Sequence, residues 1–457
     1  MRPAAFLAFS ATLAAAPLPL QISPNHRYLQ TSGGKPFFWL ADTGWLLFHK
    51  LTREESVRYL DTRQAQGYNV IQVMVLHTAA ARNVYGKSAL IENDPARPNT
   101  EPGGYWDHVD WVIEQAADKG IYMALVPAWG SLANAGQLNA DNVETYTRFL
   151  ANRYGKRPNV VWLTGGDIRG DRHPSLWKIM GRTLRQVAPA QLITYHPFGR
   201  TQSSTWHHTE PWLDFNMFQS GHRRYDQDDT PGAKGEDNWR YVAEDLALEP
   251  PKPTLDGEPS YERIPQGLHD FKQPLWQDHD VRRYAYWSVF AGSCGHTYGN
   301  GAVMPMIKST DAKPAYGLNV AWDDAINDRG AVQMRHLKRL MLSRPYFERV
   351  PDQSLIAGKN GERYDYIAAT RGRRYAMFYT YTGRPFEVAL GKIEGTRLRA
   401  AWFDPRTGAS LPAEEFPNRG TRRFTPPGES RPGNDWVLLL DDAANPALAA
   451  IPLPSLQ

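Results

Sequence analysis

Asn159-Val160-Val161-Trp162-Leu163-Thr164-Gly165-Gly166-Asp167 is a short apolar run that ends in two glycines and a carboxylate. Its β-branched and aromatic residues read as a buried strand. The paired glycines leave backbone and space for a group lying close to Asp167. Helical segments flank it, Asn142–Tyr154 before and Pro174–Val187 after, and the next apolar run is Leu192–His196. The same strand-and-helix unit repeats along the chain. Further strands are expected at Phe37–Asp42, Asn69–Leu76, Ile121–Val126, Phe215–Gln219, Pro253–Glu258 and Cys294–Tyr298. Helices are expected at Thr52–Gln66, Tyr105–Lys119, Trp239–Leu248, Val281–Phe290 and Val332–Leu342; the first opens with a capping-box pattern, Thr52 to Glu55. Eight strands alternating with helices predict an α/β fold, a (β/α)8 TIM barrel over residues 20–348. A doubly wound sheet is the alternative. It usually carries a glycine-rich phosphate turn after its first strand, and Asp42-Thr43-Gly44-Trp45 is not one. From about Val350 the texture changes to short strands (Tyr364–Ala369, Arg374–Tyr381, Arg397–Phe403, Trp436–Leu440) separated by turns, which predicts a small all-β sandwich over 350–457.

Composition narrows the function. Lys+Arg 52 against Asp+Glu 48 leaves +4 over 457 residues, too small an excess for a nucleic-acid surface. A single cysteine, Cys294, rules out an intrachain disulfide, a Cys-x-x-Cys redox pair and a multi-cysteine zinc site. The 15 Trp, 22 Tyr and 17 Phe fit either an aromatic-rich core or clefts lined for flat ligands such as sugar rings. At the N-terminus, Arg2 followed by the small apolar run Ala4–Ala16 reads as a signal peptide over residues 1–16, giving a periplasmic or secreted protein. No later run is long and apolar enough for a membrane span.

Several chemistries find no support. There is no His-Glu-x-x-His zinc signature and no Gly-x-Ser-x-Gly elbow. His207-His208 with Glu210 reads better as an aromatic-polar loop than as a metal cluster, and no metal or other cofactor is expected. What remains is the ring of residues ending the strands, where active sites of such barrels lie. Asp42, His77, Trp129, Asp167, His196, Gln219 with His222, Glu258, and Tyr298 with Asn300 stand there. Asp167 ends the fourth strand and Glu258 the seventh, nearly opposite in an eight-stranded barrel. Two facing carboxylates are the minimum for hydrolysing a glycosidic bond: one protonates the leaving oxygen, the other attacks or activates water. Trp45 and Trp129 are candidates for stacking on a sugar face. His77, His196, Gln219, His222 and Tyr298 are candidate hydroxyl partners, and Asp42 could grip a hydroxyl pair. Asp256 alternates with Glu258, so both are expected to point into the barrel, where their like charges would raise the proton affinity of one.

The succession Trp39-Leu40-Ala41-Asp42-Thr43-Gly44-Trp45, Thr164-Gly165-Gly166-Asp167, Thr194-Tyr195-His196-Pro197 and Asp256-Gly257-Glu258-Pro259 resembles the apiosidase-like glycoside hydrolases, family 140, over about residues 20–345. Trp402-Phe403-Asp404-Pro405-Arg406-Thr407-Gly408 is similar to the small domain with a collagen-binding label that follows it in that family. The resemblance implies an exported enzyme that removes apiose from plant pectin side chains, with Asp167 as acid/base and Glu258 as nucleophile. An oligo- or polysaccharide would be its partner. Many such barrels carry Asn-Glu after the fourth strand; Gly166-Asp167 stands here, a shorter arm. The rival reading is a carbohydrate-binding barrel without turnover. A protease, which the collagenase label often given to that family suggests, finds no metal, serine or cysteine constellation.

Overall fold

The computed structural model describes residues 17–228, 232, 234–412 and 414–445; the expected leader lies outside the described residues. Eight parallel strands form the barrel: β1 (Trp39–Thr43), β2 (Val70–Met74), β3 (Tyr122–Val126), β4 (Val160–Ile168), β5 (Ile193–Pro197), β6 (Asn216–Gln219), β7 (Thr254–Asp256) and β8 (Gly295–Tyr298). Their order is β5-β4-β3-β2-β1-β8-β7-β6, with Thr201–Gln202 added antiparallel to β6. Between β5 and β6 the ladder gives way to single bonds: Asp214 N–H donates to Ile193 O at 2.9 Å and the Thr194 hydroxyl to Phe215 O at 2.6 Å. The barrel is therefore nearly closed.

Side-chain parity explains why the strands read as apolar runs. One face packs inward and the other against helices, so both are buried. On β2, Val70 shares the interior with Trp39, Phe215, Met217 and Leu255, while Ile71 and Val73 face the helical layer. Fully burying such side chains is worth roughly 1.5–3 kcal/mol each. Polar ties join the strands too: Gln72 Nε2 donates across the interior to Gly257 O at 2.8 Å, and Thr43 Oγ1 to Tyr298 O on the neighbouring strand at 3.0 Å.

Seven helices wrap the strands: α1 (Arg53–Ala65), α2 (Tyr105–Asp118), α3 (Val143–Tyr154), α4 (Pro174–Val187), α5 (Asn238–Leu246), α6 (Asp278–Phe290) and α7 (Arg329–Leu342). The Thr52–Glu55 capping box is formed, and Gly67 follows α1 at φ +87°, where a side chain would be strained. Only a short helical turn, Ser204–His207, stands between β5 and β6. α6 starts three residues before the expected Val281 because Gln277 and Asp280 make a second capping box. An N-terminal antiparallel sheet (Leu20–Ile22, Leu29–Thr31, Pro36–Phe37) sits at the N-terminal end of the barrel strands, Phe37 packing on Tyr122 at 5.0 Å.

The C-terminal domain is all antiparallel. Its main sheet runs β9 (Val350–Pro351), β10 (Ile367–Arg371), β11 (Tyr375–Thr380), β16 (Trp436–Asp442), β13 (Arg397–Phe403), β14 (Glu414–Pro417). A two-stranded layer of β12 (Phe386–Ala389) and β15 (Thr421–Phe424) covers one face, burying Phe386, Val388 and Phe424 against Phe378 and Leu438. The other face, with Met377, Tyr379 and Leu439, packs on α6. Covered by barrel on one side and sheet on the other, α6 is buried nearly all round, with Tyr284, Ala285, Tyr286, Trp287, Val289 and Phe290 all inside and its buried Arg282 and Arg283 paired with acids. Two buried, bidentate ion pairs fasten the domains: Arg282 to Asp435 at 2.8 and 2.9 Å, and Arg344 to Asp441 at 2.7 and 3.1 Å. Among the described residues no helix is long and apolar enough to cross a membrane.

Candidate active site

At the C-terminal ends of the strands lies a cleft of about 340 Å³, holding Asp167 and Glu258 with Gln219 and His222, between walls that include Trp45, Trp129 and Tyr261. Asp167 reaches it through a break in β4. Gly165 pairs with His196 and Ile168 with Pro197, so Gly166 and Asp167 bulge out of a ladder that loses no register on the β5 side. The bulge needs glycine. Gly165 and Gly166 sit at φ +87° and +102°; a Cβ on the first would lie 2.6 Å from His196 O, and on the second 2.8 Å from the Trp129 ring. Asp167 itself is left-handed at φ +52°, a strained conformation that aspartate tolerates better than most residues.

Glu258 stands two residues beyond β7 and is clasped by imidazoles on two strands' ends. His222 Nε2 lies 3.0 Å from Oε1, and His196 Nε2 lies 3.2 Å from Oε2. The tautomer of His196 follows from its other nitrogen: the Asp167 backbone N–H donates to Nδ1 at 3.4 Å, so the ring proton sits on Nε2 and points at Glu258. Burial alone would push the Glu258 carboxyl up, but hydrogen bonds from His196 and His222 outweigh it and hold it at about 2. Asp167 moves the opposite way. Burial raises it, the negative charge of Glu258 raises it further, and His196, His222 and Gln219 only partly offset both. One carboxyl is kept charged and the other has its proton affinity raised. That is the chemistry of an acid paired with a nucleophile or base.

Trp45 and Trp129 do line the cleft, their rings 5.3 Å apart, with His196 packed beneath both at 5.3 and 5.7 Å. Four expected residues lie elsewhere. Asp42 is fully buried on the helix side of β1, its Oδ2 2.7 Å from Arg63 Nε and 2.5 Å from the Tyr59 hydroxyl. Tyr298, its neighbour in register across β1 and β8, faces the same way and donates to Glu262 Oε2 at 2.5 Å. Asp256 does not point into the barrel with Glu258. It shares the outward parity of Thr254 and faces α5, accepting from Ser220 Oγ at 2.6 Å and Asn238 Nδ2 at 2.9 Å, while the chain leaves strand geometry after Asp256 and Glu258 turns into the cleft. Burial pushes its carboxyl up to about 7, so the raised member of that pair is raised by desolvation first. His77 stacks edgewise on His49 at 4.1 Å, outside the cleft lining. Arg200, Arg223, Tyr261, Met304 and Tyr316 line the cleft unforeseen. All come from loops beyond the strand ends, where periodicity carries no signal; Tyr261, three residues after Glu258, was open to inspection by position alone. His208 bonds Asn216 and the Pro250 carbonyl while His207 packs among Tyr195 and Trp212, so the two face apart.

Residues 23–348 match the family model "Apiosidase-like, catalytic domain", and residues 350–441 match "Putative collagen-binding domain of a collagenase". A solved structure described as a glycoside hydrolase is 47% identical and superposes with a TM-score of 0.91, over 94% of this chain and 98% of that one. A glycoside hydrolase family 5 structure from Bacteroides vulgatus ATCC 8482 is 44% identical with a TM-score of 0.91, over 94% and 95%. No curated protein matches the chain.

Proposed function

This chain belongs to the apiosidase-like glycoside hydrolases, and on that premise we propose that it removes apiose from pectin side chains by a retaining, two-carboxylate mechanism. The observation that carries the reading is the opposed setting of Asp167 and Glu258. In the first step Asp167 gives its proton to the glycosidic oxygen while the Glu258 carboxylate attacks the anomeric carbon; the C–O bond to the leaving group breaks and a glycosyl ester on Glu258 forms. Esterification removes the charge on Glu258. Its contribution to the raised Asp167 affinity then disappears, and the aspartate becomes a competent base for the incoming water. Trp45 and Trp129 would wall the sugar, and Gln219 and His222 would meet its hydroxyls. A second hollow of about 610 Å³ opens beside Asp167, on the side where a leaving group would lie: it shares Asp167 and Phe198 with the cleft and contains Arg172 and the Asp171-paired Arg169, cations that suit an acidic polysaccharide. The apolar run Ala4–Ala16, read as a leader over 1–16, would carry the enzyme out of the cytoplasm, to the periplasm or beyond.

The test is a screen of the purified protein against pectin fragments with the released monosaccharides identified. Free apiose is the expected product, and proton NMR of the first-formed anomer should show the configuration of the substrate. Release of a different sugar would overturn the substrate, and an inverted first product would overturn the covalent step.

A further inference from the structure

The loop from β6 to α5 carries His222 and Arg223 into the cleft, and its far end is tied to another domain. Glu236, fully buried at the foot of this loop, accepts from the Tyr225 backbone N–H at 3.2 Å and from the Tyr364 hydroxyl at 2.8 Å through the same oxygen. Its second oxygen takes Arg283 Nη2, on α6. Tyr364 belongs to the C-terminal domain, in the turn before β10. Around this carboxylate the loop is clasped on both faces. The Tyr225 ring meets Tyr364 at 5.6 Å and lies under the Arg363 guanidinium at 5.0 Å, while its hydroxyl donates to Asp237 at 2.5 Å. The Arg283 guanidinium in turn lies over Tyr364 at 4.7 Å and Tyr381 at 4.8 Å, both from the C-terminal domain.

From Tyr225 the connection to the chemistry is short. Three residues earlier, the His222 carbonyl accepts from Gly267 N–H at 2.8 Å and Trp276 Nε1 at 3.2 Å, and its ring holds Glu258. One end of the segment is fixed by barrel loops and the other by Glu236 and Tyr364. We infer that the C-terminal domain serves the barrel's reaction as a support, with Tyr364 and Glu236 as positioning residues that fix the His222 loop and through it the Glu258 carboxylate. The inference rests, for its kinetic part, on Glu258 acting as proposed above. It gives the domain a task that needs no ligand of its own, and its best-placed aromatics agree: Trp436 is buried beneath Arg406 at 4.9 Å and Trp402 packs on Phe386 at 6.3 Å.

Tyr364→Phe in the full chain removes the one hydroxyl and keeps the ring. Tyr375→Phe is the control, an interfacial hydroxyl of the same domain that bonds only the Pro345 carbonyl, far from the loop in sequence and contacts. With 4-nitrophenyl apioside as probe, Tyr364→Phe should lower kcat/KM roughly fivefold or more, chiefly through kcat, and move the acid limb of the pH profile upward. Amide exchange of residues 221–228 should quicken roughly tenfold in Tyr364→Phe and stay unchanged in Tyr375→Phe. Glu236→Gln should act in the same direction and more strongly; where it fails to fold, Tyr364→Phe still decides. Equal behaviour of Tyr364→Phe and Tyr375→Phe in exchange and kinetics would overturn the inference and leave Tyr364 as ordinary interface. Exchange needs no substrate, so a wild type inactive on apioside would count against the sugar while the anchoring is decided independently.

Discussion

Asp167 and Glu258 end strands on opposite sides of one barrel, and the chain holds them by opposite means. Glu258 is 7% exposed and gripped by two imidazoles, one of them oriented by the Asp167 backbone N–H. Even its approach is built for it: Gly221 N–H donates to Glu258 O at 3.0 Å, and a Cβ on Gly221 would come within 2.6 Å of the Pro259 backbone. Asp167 is set by backbone shape, on a left-handed bulge between two glycines and Ile168, and meets the charge of Glu258 across the cleft. Hydrogen bonding to the charged form drives one affinity down, while desolvation and like charge drive the other up. Two carboxyls of nearly equal intrinsic acidity thus acquire different tasks from their surroundings.

The comparison breaks hardest at Glu258. Glu258→Gln keeps the shape and removes the nucleophile, so turnover should fall on the order of 10⁴-fold or more on every substrate, activated or not. Asp167→Ala should fall short of that and in a selective way. Substrates with poor leaving groups should lose roughly 10²–10⁴-fold, while aryl glycosides with good leaving groups keep most of their first step. Steady-state kinetics on both substrate classes checks the pair; equal losses in both variants would mean that the division of roles is wrong. A third variant probes backbone shape. Gly166→Ala puts a Cβ 2.8 Å from the Trp129 ring at φ +102° and should displace Asp167, costing roughly 10²-fold in kcat/KM. Gly136→Ala, left-handed at φ +68° with open space around it, carries backbone strain alone and should lower Tm without changing kcat/KM.

The same contrast separates what was legible in the sequence from what was not. Strands buried on both faces read as apolar runs, so the barrel and the paired strand ends at Gly165-Gly166-Asp167 and Gly257-Glu258 were open to inspection. Parity was not. Asp42 and Tyr298 also end strands, but they fall one residue out of phase with the mouth and face Arg63 and Glu262 instead. Asp256 failed for the converse reason: alternation was carried past the point where β7 stops. In the C-terminal domain β12 and β15 are short and bear Glu387 and Arg423 on their outer sides, with Arg422 on the inner face over Phe416, so only tertiary cover makes them strands. Tyr364 was expected in a strand; it lies in a 3₁₀ turn beside left-handed Arg363. The Glu236–Tyr364 tie joins residues 128 positions apart, and no local pattern encodes it.

The smallest expected effect tests the imidazoles rather than the carboxyls. His222→Phe keeps a ring against Tyr261, which packs on His222 at 4.6 Å, but removes the hydrogen bond to Glu258 Oε1. Glu258 must be ionised to attack, so activity is lost as pH falls through its affinity, and the wild-type value of about 2 keeps that limb below the working range. Without His222, burial is opposed by His196 alone, and the carboxyl should move up toward or past the ordinary value of about 4.3. The acid limb of kcat/KM should therefore rise by roughly two pH units, with a loss of only about tenfold at neutral pH, where the carboxylate is still charged. The alkaline limb reports Asp167, whose proton must be present for the first step; it should move less, and upward, because the Glu258 charge that raises it remains and only the smaller His222 offset is lost. A pH–rate profile that shifts on the alkaline side and not the acid side would mean that His222 serves Asp167, and that His196 alone holds the Glu258 carboxylate charged against its burial.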